Sequence, residues 1–404
     1  MAGKFIITKK DHQIVTALYE NQKMVELQFH SQEEQKISLG DIYVGRVKNI
    51  VKNINGAFLD VGNGNLCYYS FADNQNPMIL NAKKQNTVAE GDLLLVQVQK
   101  EAMKTKLPSV TSHINVTGKF LVLTYGKCSI GISNKIQSER ERTRLKNIAR
   151  KWKSKDYGWI VRTNAQGCDE ELLQQEAKSL IEQYEAWIRI AKFRTEGYKV
   201  SGAFPSYLTE LRDQNSHSYE RIITDYSDLY EEIESYLEEH QKEDKDKLEY
   251  YNDTMISLNN LLSMEKDIED ALREKVWLKS GGYLIIQPTE AMVVIDVNTG
   301  KSINKKKSQE HFRLINLEAA KEVARQIRLR NLSGIIIVDF IDLDKEEDQL
   351  ELMETLRQYT SKDRIKTDVI DMTKLNLVEI TRKKIRKPIY EQRKGIEICL
   401  KEPN

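Results

Sequence analysis

Two stretches of this chain read as buried strands, and both end in the same way. Val293-Val294-Ile295 runs into Asp296, followed by Val297 and Asn298. Ile335-Ile336-Ile337-Val338 runs into Asp339, followed by Phe340, Ile341 and Asp342. Runs of β-branched and aliphatic residues favour strands with both faces covered. A carboxylate directly after such a run is costly to bury without a partner. At the carboxyl ends of strands in open α/β sheets, side chains project toward the crevice where ligands bind. If the two strands are neighbours, Asp296 and Asp339 converge on one cation. Mg²⁺ suits such a place, because it takes one or two carboxylates and keeps waters and phosphate oxygens, and Mn²⁺ can substitute. Asn298 falls two residues after Asp296, on the same face if the strand continues, where its amide can orient a water or a phosphate oxygen. Thr299-Gly300-Lys301 then leads to the basic run Lys305-Lys306-Lys307. The residues alone leave a second reading open, in which both Asp are turn residues or helix N-caps.

The surrounding pattern is that of a layered α/β or α+β domain. Strands are expected at Tyr283–Gln287, Met292–Asp296, Gly334–Phe340 and Ile365–Val369. Helices are expected over 308–330, with a stripe at Leu317, Ala320, Val323, Ala324 and Ile327, and over Asp348–Gln358. The first 75 residues read as strands: Lys4–Thr8, Ile14–Tyr19, Met24–Phe29, Asp41–Val47, Gly56–Val61 and Leu66–Phe71, with Asp92–Val98 beyond. Glycine-punctuated short strands in the second part of this set suggest a small barrel such as an OB-fold. Phe120–Leu123 and Trp159–Arg162 read as further strands. Residues 169–192 are periodic and helical, with Leu172, Leu180, Ile181, Tyr184 and Ile188 apolar.

Charge is nearly balanced overall, at +1, but not locally. Residues 135–155 hold nine Lys/Arg and two Glu, and residues 382–394 hold seven and one. Residues 225–247 hold ten Asp/Glu and three Lys, a run best read as a solvated helix face or loop. Binding to a phosphate backbone depends on local cationic surface, so a neutral total does not exclude it. At 404 residues the chain suggests roughly two to four domains. Its longest apolar runs are about six residues, short of a membrane span, and no secretory signal is visible. The four cysteines, Cys67, Cys128, Cys168 and Cys399, form no CxxC pair, and the six histidines give no HExxH spacing. A reducing cytoplasm, free thiols and oxygen ligands for any metal are therefore expected.

At the carboxylate pair the sequence resembles the ribonuclease E/G family of endoribonucleases. The resemblance is carried by Ser280-Gly-Gly-Tyr-Leu-Ile-Ile-Gln-Pro-Thr-Glu-Ala291 and Val294-Ile-Asp-Val-Asn-Thr-Gly300. Also matching are Asn316-Leu-Glu-Ala-Ala-Lys-Glu-Val-Ala-Arg-Gln-Ile-Arg-Leu-Arg330, Gly334-Ile-Ile-Ile-Val-Asp-Phe-Ile-Asp-Leu343 and Thr373-Lys-Leu-Asn-Leu-Val-Glu-Ile-Thr-Arg382. More weakly, Gly40–Asp73 is similar to the family's S1-type OB-fold, with Phe58 and Tyr68 at positions of RNA-stacking aromatics. Ordinary barrel packing is the other reading of each ring. Lys106 matches a lysine near the RNA backbone, although Leu107-Pro108 follows where the family is glycine-rich. Gly118–Leu123, Ile130–Ser133 and Ile160–Thr163 are similar to the family's pocket for a 5′-monophosphate. The resemblance assigns Arg162 and Thr163 to the phosphate and Gly118 and Val122 to the lining.

The resemblance implies an α+β multidomain fold. An RNase-H-like subdomain, residues 1–35 and 206–278, would be interrupted by an S1-type OB-fold barrel at 36–117 and a 5′-sensor region at 118–205. A DNase-I-like α/β catalytic subdomain, 279–392, and a tail, 393–404, would follow. The implied activity is Mg²⁺-dependent cleavage of single-stranded RNA by Asp296, Asn298 and Asp339, in ribosomal RNA maturation or messenger decay. A non-catalytic RNA-binding protein on the same scaffold is the alternative. Three departures shape further expectations. The CPxC zinc-link motif is replaced by a lone Cys399, so no structural zinc is expected and any homo-oligomer is not zinc-linked. Lys366 stands where an Arg usually braces the 5′ pocket, and Asn134-Lys135 replaces a more basic pair. A long disordered tail is missing, which places the chain nearer the family's ribonuclease G branch.

Overall fold

The computed structural model describes residues 3–392 except 12, 31–36, 82–86, 102–106, 127, 216 and 301–308. The chain divides into two compact units, Met1–Gln32 with Gln214–Asn404, and Glu33–Asp213.

The first unit opens with an antiparallel meander of β1 (Lys4–Lys10), β2 (Gln13–Glu20) and β3 (Lys23–His30). Asn21 and Gln22 join β2 to β3 with φ of 50° and 63°. Two left-handed residues in a two-residue loop match the right-handed twist of the strands they join.

The second unit contains the expected barrel. It is formed by β4 (Ile42–Val51), β5 (Gly56–Asp60), β6 (Leu66–Ser70), β7 (Leu93–Lys100) and β8 (Ser109–Thr111). The order β4-β5-β6-β8-β7 closes through pairing of β4 with β7. Val47, Ala57, Leu59, Cys67, Tyr69, Leu94, Val96 and Val110 fill its interior. A second sheet has the order β11-β12-β10-β9, from β9 (Asn115–Thr117), β10 (Leu121–Tyr125), β11 (Ile130–Ile132) and β12 (Tyr157–Val161).

Helix α1 (Glu139–Arg150) is the core of the basic segment. Ser138 caps it by accepting the Glu141 N–H, half of the Ser-x-x-Glu signature. Leu145, Ile148 and Ala149 are buried, which leaves most of its cations outward. Helix α2 (Glu170–Ala191) buries Leu173, Ala177, Leu180 and Tyr184. Leu172, Ile181 and Ile188 are only half-buried, so its core stripe lies to one side of the expected one. Strand β13 (Lys199–Ser201) adds to the barrel at β4, and α3 (Ser206–Asp213) ends the unit.

Back in the first unit, β14 (Arg221–Thr224) and β15 (Leu248–Tyr250) extend the meander in parallel, giving β15-β14-β1-β2-β3. The acidic run forms α4 (Ser227–His240), which buries Leu229, Ile233, Tyr236 and Leu237 and leaves most of its acids in solvent. Asp244 is the exception: it is buried, takes the Tyr219 hydroxyl at 2.7 Å and pairs with Lys247 at 2.8 Å. Helices α5 (Leu258–Leu262) and α6 (Met264–Leu272) supply Leu258, Met264, Ile268 and Ala271 to this sheet's core.

The unit's second sheet comprises β16 (Lys275–Trp277), β17 (Tyr283–Pro288), β18 (Met292–Asn298), β19 (Gly334–Asp339), β20 (Thr367–Met372) and β21 (Leu377–Arg382). Its order is β16-β17-β18-β19-β21-β20, with β18 and β19 the parallel pair. Helices α7 (Gln309–Leu329) and α8 (Glu346–Thr360) cover one face, where Leu284, Ile286, Ile295, Ile336, Val338, Val378 and Ile380 are buried. The other face is open: Ile335 is 48% exposed, and Ile285, Val294 and Ile337 are half-buried. The apolar runs that suggested double burial are thus covered on one side only. Strand β20 starts two residues later than expected, because the Asp363 carboxylate accepts the Ile365 amide at 2.9 Å and holds that stretch as a turn.

Candidate active site

Asp296 and Asp339 are register partners across the parallel pair β18–β19. Directly paired residues present their side chains to the same face. That face is the open one, since Ile295 and Val297 point into the helix layer. Strand β18 continues to Asn298, which therefore lies on the same face, and its amide Nδ2 donates to Asp296 Oδ2 at 2.6 Å. Neither aspartate caps a helix. Asp296 lies inside β18, and Asp339 ends β19 well ahead of the α8 cap residue Lys345.

The Asp339 carboxyl is held above the usual carboxylate range. Partial loss of water is the first cause, then the like charge of Asp296, then that of Asp342. Two carboxylates set side by side in this way are stabilised when a cation joins them. Asp342 stands apart in role: its Oδ1 accepts the Asn376 amide at 2.8 Å. Among the described residues no group of three or more His, Cys, Asp or Glu is placed to hold a metal. Asp296 and Asp339 with the Asn298 amide nevertheless fit Mg²⁺, which needs only one or two carboxylates from protein.

Several residues that the sequence reading did not single out build this site. Asn316, fully buried on α7, donates to the Ile341 carbonyl at 2.7 Å and accepts the Ile341 amide at 3.1 Å. Buried Phe340 and Leu343 anchor the same loop in the core, so its course from Asp339 to Asp342 is determined. Asn376 adopts φ 62° in the β20–β21 turn, which aims its amide at Asp342. Beyond Asn298, a Cβ on Gly282 would lie 2.8 Å from the Asn298 carbonyl. A Cβ on Gly300, at φ +66°, would lie 2.2 Å from the Gly281 carbonyl. Only glycine permits this approach of the two backbone segments. Glu318 on α7 accepts the amides of Lys279 and Ser280 at 2.7 and 3.1 Å and fixes the start of that loop. All these lie inside the motifs quoted above, but nothing in their spacing marks them. Lys301 and Lys305–Lys307 lie outside the described residues.

In the second unit, Phe58 and Tyr68 are opposite residues of β5 and β6, with ring centroids 6.1 Å apart. Both are half-buried rather than interior, and the Tyr68 hydroxyl donates to the Ile54 carbonyl at 3.0 Å. Lys106 lies outside the described residues. Val122 pairs with Ile160, so it shares a sheet face with Arg162 two positions on. The Arg162 guanidinium donates to the Gly118 carbonyl at 2.6 Å and to Asp213 Oδ1 at 2.7 Å. Asp213 is held down at about 2, because Arg212 and Arg162 together outweigh its burial. Thr163 Oγ1 is 2.8 Å from Ser133 Oγ. The four expected residues are thus brought to one end of one sheet. The sequence reading missed Asp213, which braces Arg162, and Glu176, whose carboxylate collects the amides of Lys119, Phe120 and Leu121 at 2.7–3.2 Å.

Fold and site together define a mixed α+β protein with a closed five-stranded barrel and a centre of two carboxylates on an open sheet face. The family model for the ribonuclease E/G family matches residues 115–385. Ribonuclease G of Escherichia coli (strain K12) is 35% identical over 367 residues, 88% of this chain and 75% of that protein. Ribonuclease G of Haemophilus influenzae is 34% identical over 386 residues, 92% of this chain and 78% of that one. Ribonuclease E of Nostoc sp. is 33% identical over 407 residues, 96% of this chain and 57% of that one. The chain belongs to the ribonuclease E/G family and is an endoribonuclease of that family.

Proposed function

We propose that the chain cleaves single-stranded RNA in a Mg²⁺-dependent reaction centred on Asp296 and Asp339. The register pairing of these two carboxylates on an open sheet face is the observation that carries the reading. Asp296 and Asp339 hold the ion, with Mn²⁺ an acceptable substitute. A bound divalent ion supplies a lowered water pKa and neutralisation of phosphate charge. Asn298 keeps Asp296 in place through its 2.6 Å hydrogen bond and turns its remaining amide N–H and its carbonyl toward the substrate. Buried Asn316 keeps the loop behind Asp339 from moving. In-line attack by water on the phosphodiester leaves 5′-phosphate and 3′-hydroxyl ends.

The remaining parts of the reading follow the same family. The order β15-β14-β1-β2-β3, with β1–β3 antiparallel and β14 and β15 parallel to β1, supports an RNase-H-like subdomain. The sheet backed by α7 and α8 supports a DNase-I-like one. Phe58 and Tyr68 present a stacking surface for bases. Arg162, Thr163, Gly118 and Val122 form a pocket for a 5′-monophosphate, with Arg162 pre-oriented by Asp213. No described helix is long and apolar enough to cross a membrane, and we place the activity in the cytoplasm, in ribosomal RNA maturation or messenger decay. Incubating the full chain with a 5′-monophosphorylated RNA oligonucleotide, with Mg²⁺ and with EDTA, tests the central claim. Cleavage confined to the Mg²⁺ arm and lost in Asp296→Asn is the expected result. RNA binding without cleavage in any arm leaves the non-catalytic scaffold instead.

A further inference from the structure

Strand β16 forms the edge of the sheet that carries the carboxylates, and its residues extend two rows across the open face. In one row Trp277 pairs with Tyr283, and Tyr283 pairs with Asn298. In the next, Lys275 pairs with Ile285, Ile285 with Asp296, and Asp296 with Asp339. Directly opposed residues share a face, so all of these side chains stand on the open side. At a strand spacing of about 4.8 Å, β16 runs roughly 10 Å from the strand of Asn298.

Trp277 is 64% exposed, although it is the largest apolar side chain a protein can bury. Its ring meets that of Tyr283 edge-on, with centroids 5.3 Å apart. Lys275 Nζ sits 3.9 Å from the Trp277 ring centroid and 3.8 Å from that of Tyr283. The cluster is therefore held in place by its own contacts while its largest ring faces solvent. An indole fixed at its edge and flanked by a cation is suited to a flat, electron-rich ring carrying an anionic backbone, which describes a nucleotide.

We propose that Trp277, supported by Tyr283 and Lys275, stacks a nucleobase flanking the phosphodiester held at Asp296, Asn298 and Asp339. The platform positions the strand that is cut. It rests on the endoribonuclease reading of the carboxylate pair. Since any base offers a π-face, it tightens binding with little sequence preference. Neither ring touches the reacting atoms, so its effect falls on KM rather than kcat.

The test compares wild type, Trp277→Ala and Trp277→Phe, all as full-length chains. One oligoribonucleotide and a series carrying a single abasic residue at successive positions around the cut are used. Affinity is measured in EDTA by fluorescence anisotropy, and kcat and KM are measured in Mg²⁺. Trp277→Ala is expected to weaken affinity and raise KM about tenfold, with kcat little changed and Trp277→Phe recovering most of the loss. One abasic position should weaken wild type to the same extent and cost Trp277→Ala nothing further. Affinity and KM of Trp277→Ala within about twofold of wild type would overturn the platform, as would an abasic series with no masked position. Absence of Mg²⁺-dependent cleavage by wild type would sink the endoribonuclease chemistry while the EDTA affinities still read the platform. No RNA binding by wild type sinks both.

Discussion

The carboxylates of Asp296 and Asp339 stand side by side as register partners of two parallel strands, with the Asn298 amide closing on the first of them at 2.6 Å. Placing two like charges together disfavours the charged forms. The fold accepts this arrangement on the open face of the sheet, and the consequence is measurable. Asp339→Asn should abolish RNA cleavage, yet leave the melting temperature in EDTA equal to or above that of wild type. Added Mg²⁺ should raise the melting temperature of wild type and not of the variant, because only the former binds the ion in its folded state. Thermal unfolding of both proteins with and without Mg²⁺ checks this, and a variant that melts well below wild type in EDTA would count against it.

A Mg²⁺ ion held as proposed would compete with the proton for the same oxygens, which would give a pH signature. The folded Asp339 carboxyl holds its proton to higher pH than an unfolded one, through partial burial and then Asp296 and Asp342. Its contribution to folding is therefore unfavourable once pH has risen above its folded pKa, and that penalty is relieved as pH falls. Metal binding requires the deprotonated form. The acid limb of the cleavage rate should accordingly move to lower pH as the Mg²⁺ concentration is raised. A limb that stays fixed over a hundredfold range of Mg²⁺ concentration, a range set by about two pH units of proton release, would assign it to another group.

How much of this was legible beforehand depends on the range over which each feature is determined. Strands such as β2 and β19 follow from consecutive apolar residues, so both are legible in local sequence. Strand β8 is three residues long and exists because it bridges β6 and β7, which no local pattern announces. Asp296 and Asp339 stood out as strand-end carboxylates, but their pairing depends on which strands are neighbours, and α7 decides that. Arg162 would have passed as a surface charge at a strand end. Its partner Asp213 lies 51 residues away, and only the fold joins them. Arg382 shows the opposite error. It was counted in a basic segment, but it is buried, paired to Asp363 at 2.6 Å and to Asn331 at 2.7 Å. That cation serves the interior.

Arg162 is presented with its guanidinium already oriented by the Gly118 carbonyl and Asp213. Arg162→Gln removes the fork that would take a terminal phosphate. The variant should cleave 5′-hydroxyl RNA at the wild-type rate and lose any preference for 5′-monophosphate RNA, so that the ratio of the two rates approaches unity. Folding should be little affected, because Arg212 still pairs with Asp213 at 3.0 Å. Equal wild-type rates on the two substrates would remove the pocket from the account.

On the barrel, Phe58 and Tyr68 touch each other on the surface while Leu59, Cys67 and Tyr69 fill the interior. Phe58→Ala should therefore weaken single-stranded RNA binding by about 1–3 kcal/mol, the range for loss of one stacked base. Its midpoint of thermal unfolding should fall by no more than a few degrees. Binding measured in EDTA against melting temperature separates the two roles, and a large melting loss with unchanged affinity would make Phe58 a packing residue.

Glu26 on β3 is buried and joins three partners from distant parts of its unit. Arg328 donates to it at 2.9 Å, Arg364 at 3.1 Å and Gln214 at 2.9 Å. Although burial opposes the charge, these partners, the two arginines first, hold its pKa at about 2. Glu26→Gln removes the negative charge and leaves Arg328 with Glu20 alone, at 3.0 Å. Breaking a buried pair from one side costs about 3–5 kcal/mol, and the value here should fall near the lower end because Glu20 remains. The sign with pH follows from the depressed pKa. The stabilisation is fully present above the ordinary glutamate value of about 4.3 and is lost as pH falls from there toward about 2. Urea denaturation of wild type and Glu26→Gln should therefore differ by the same amount at pH 7 and pH 5, and by less at pH 3. A difference that stays constant down to pH 3 would mean that Glu26 contributes through shape and hydrogen bonding rather than through its charge.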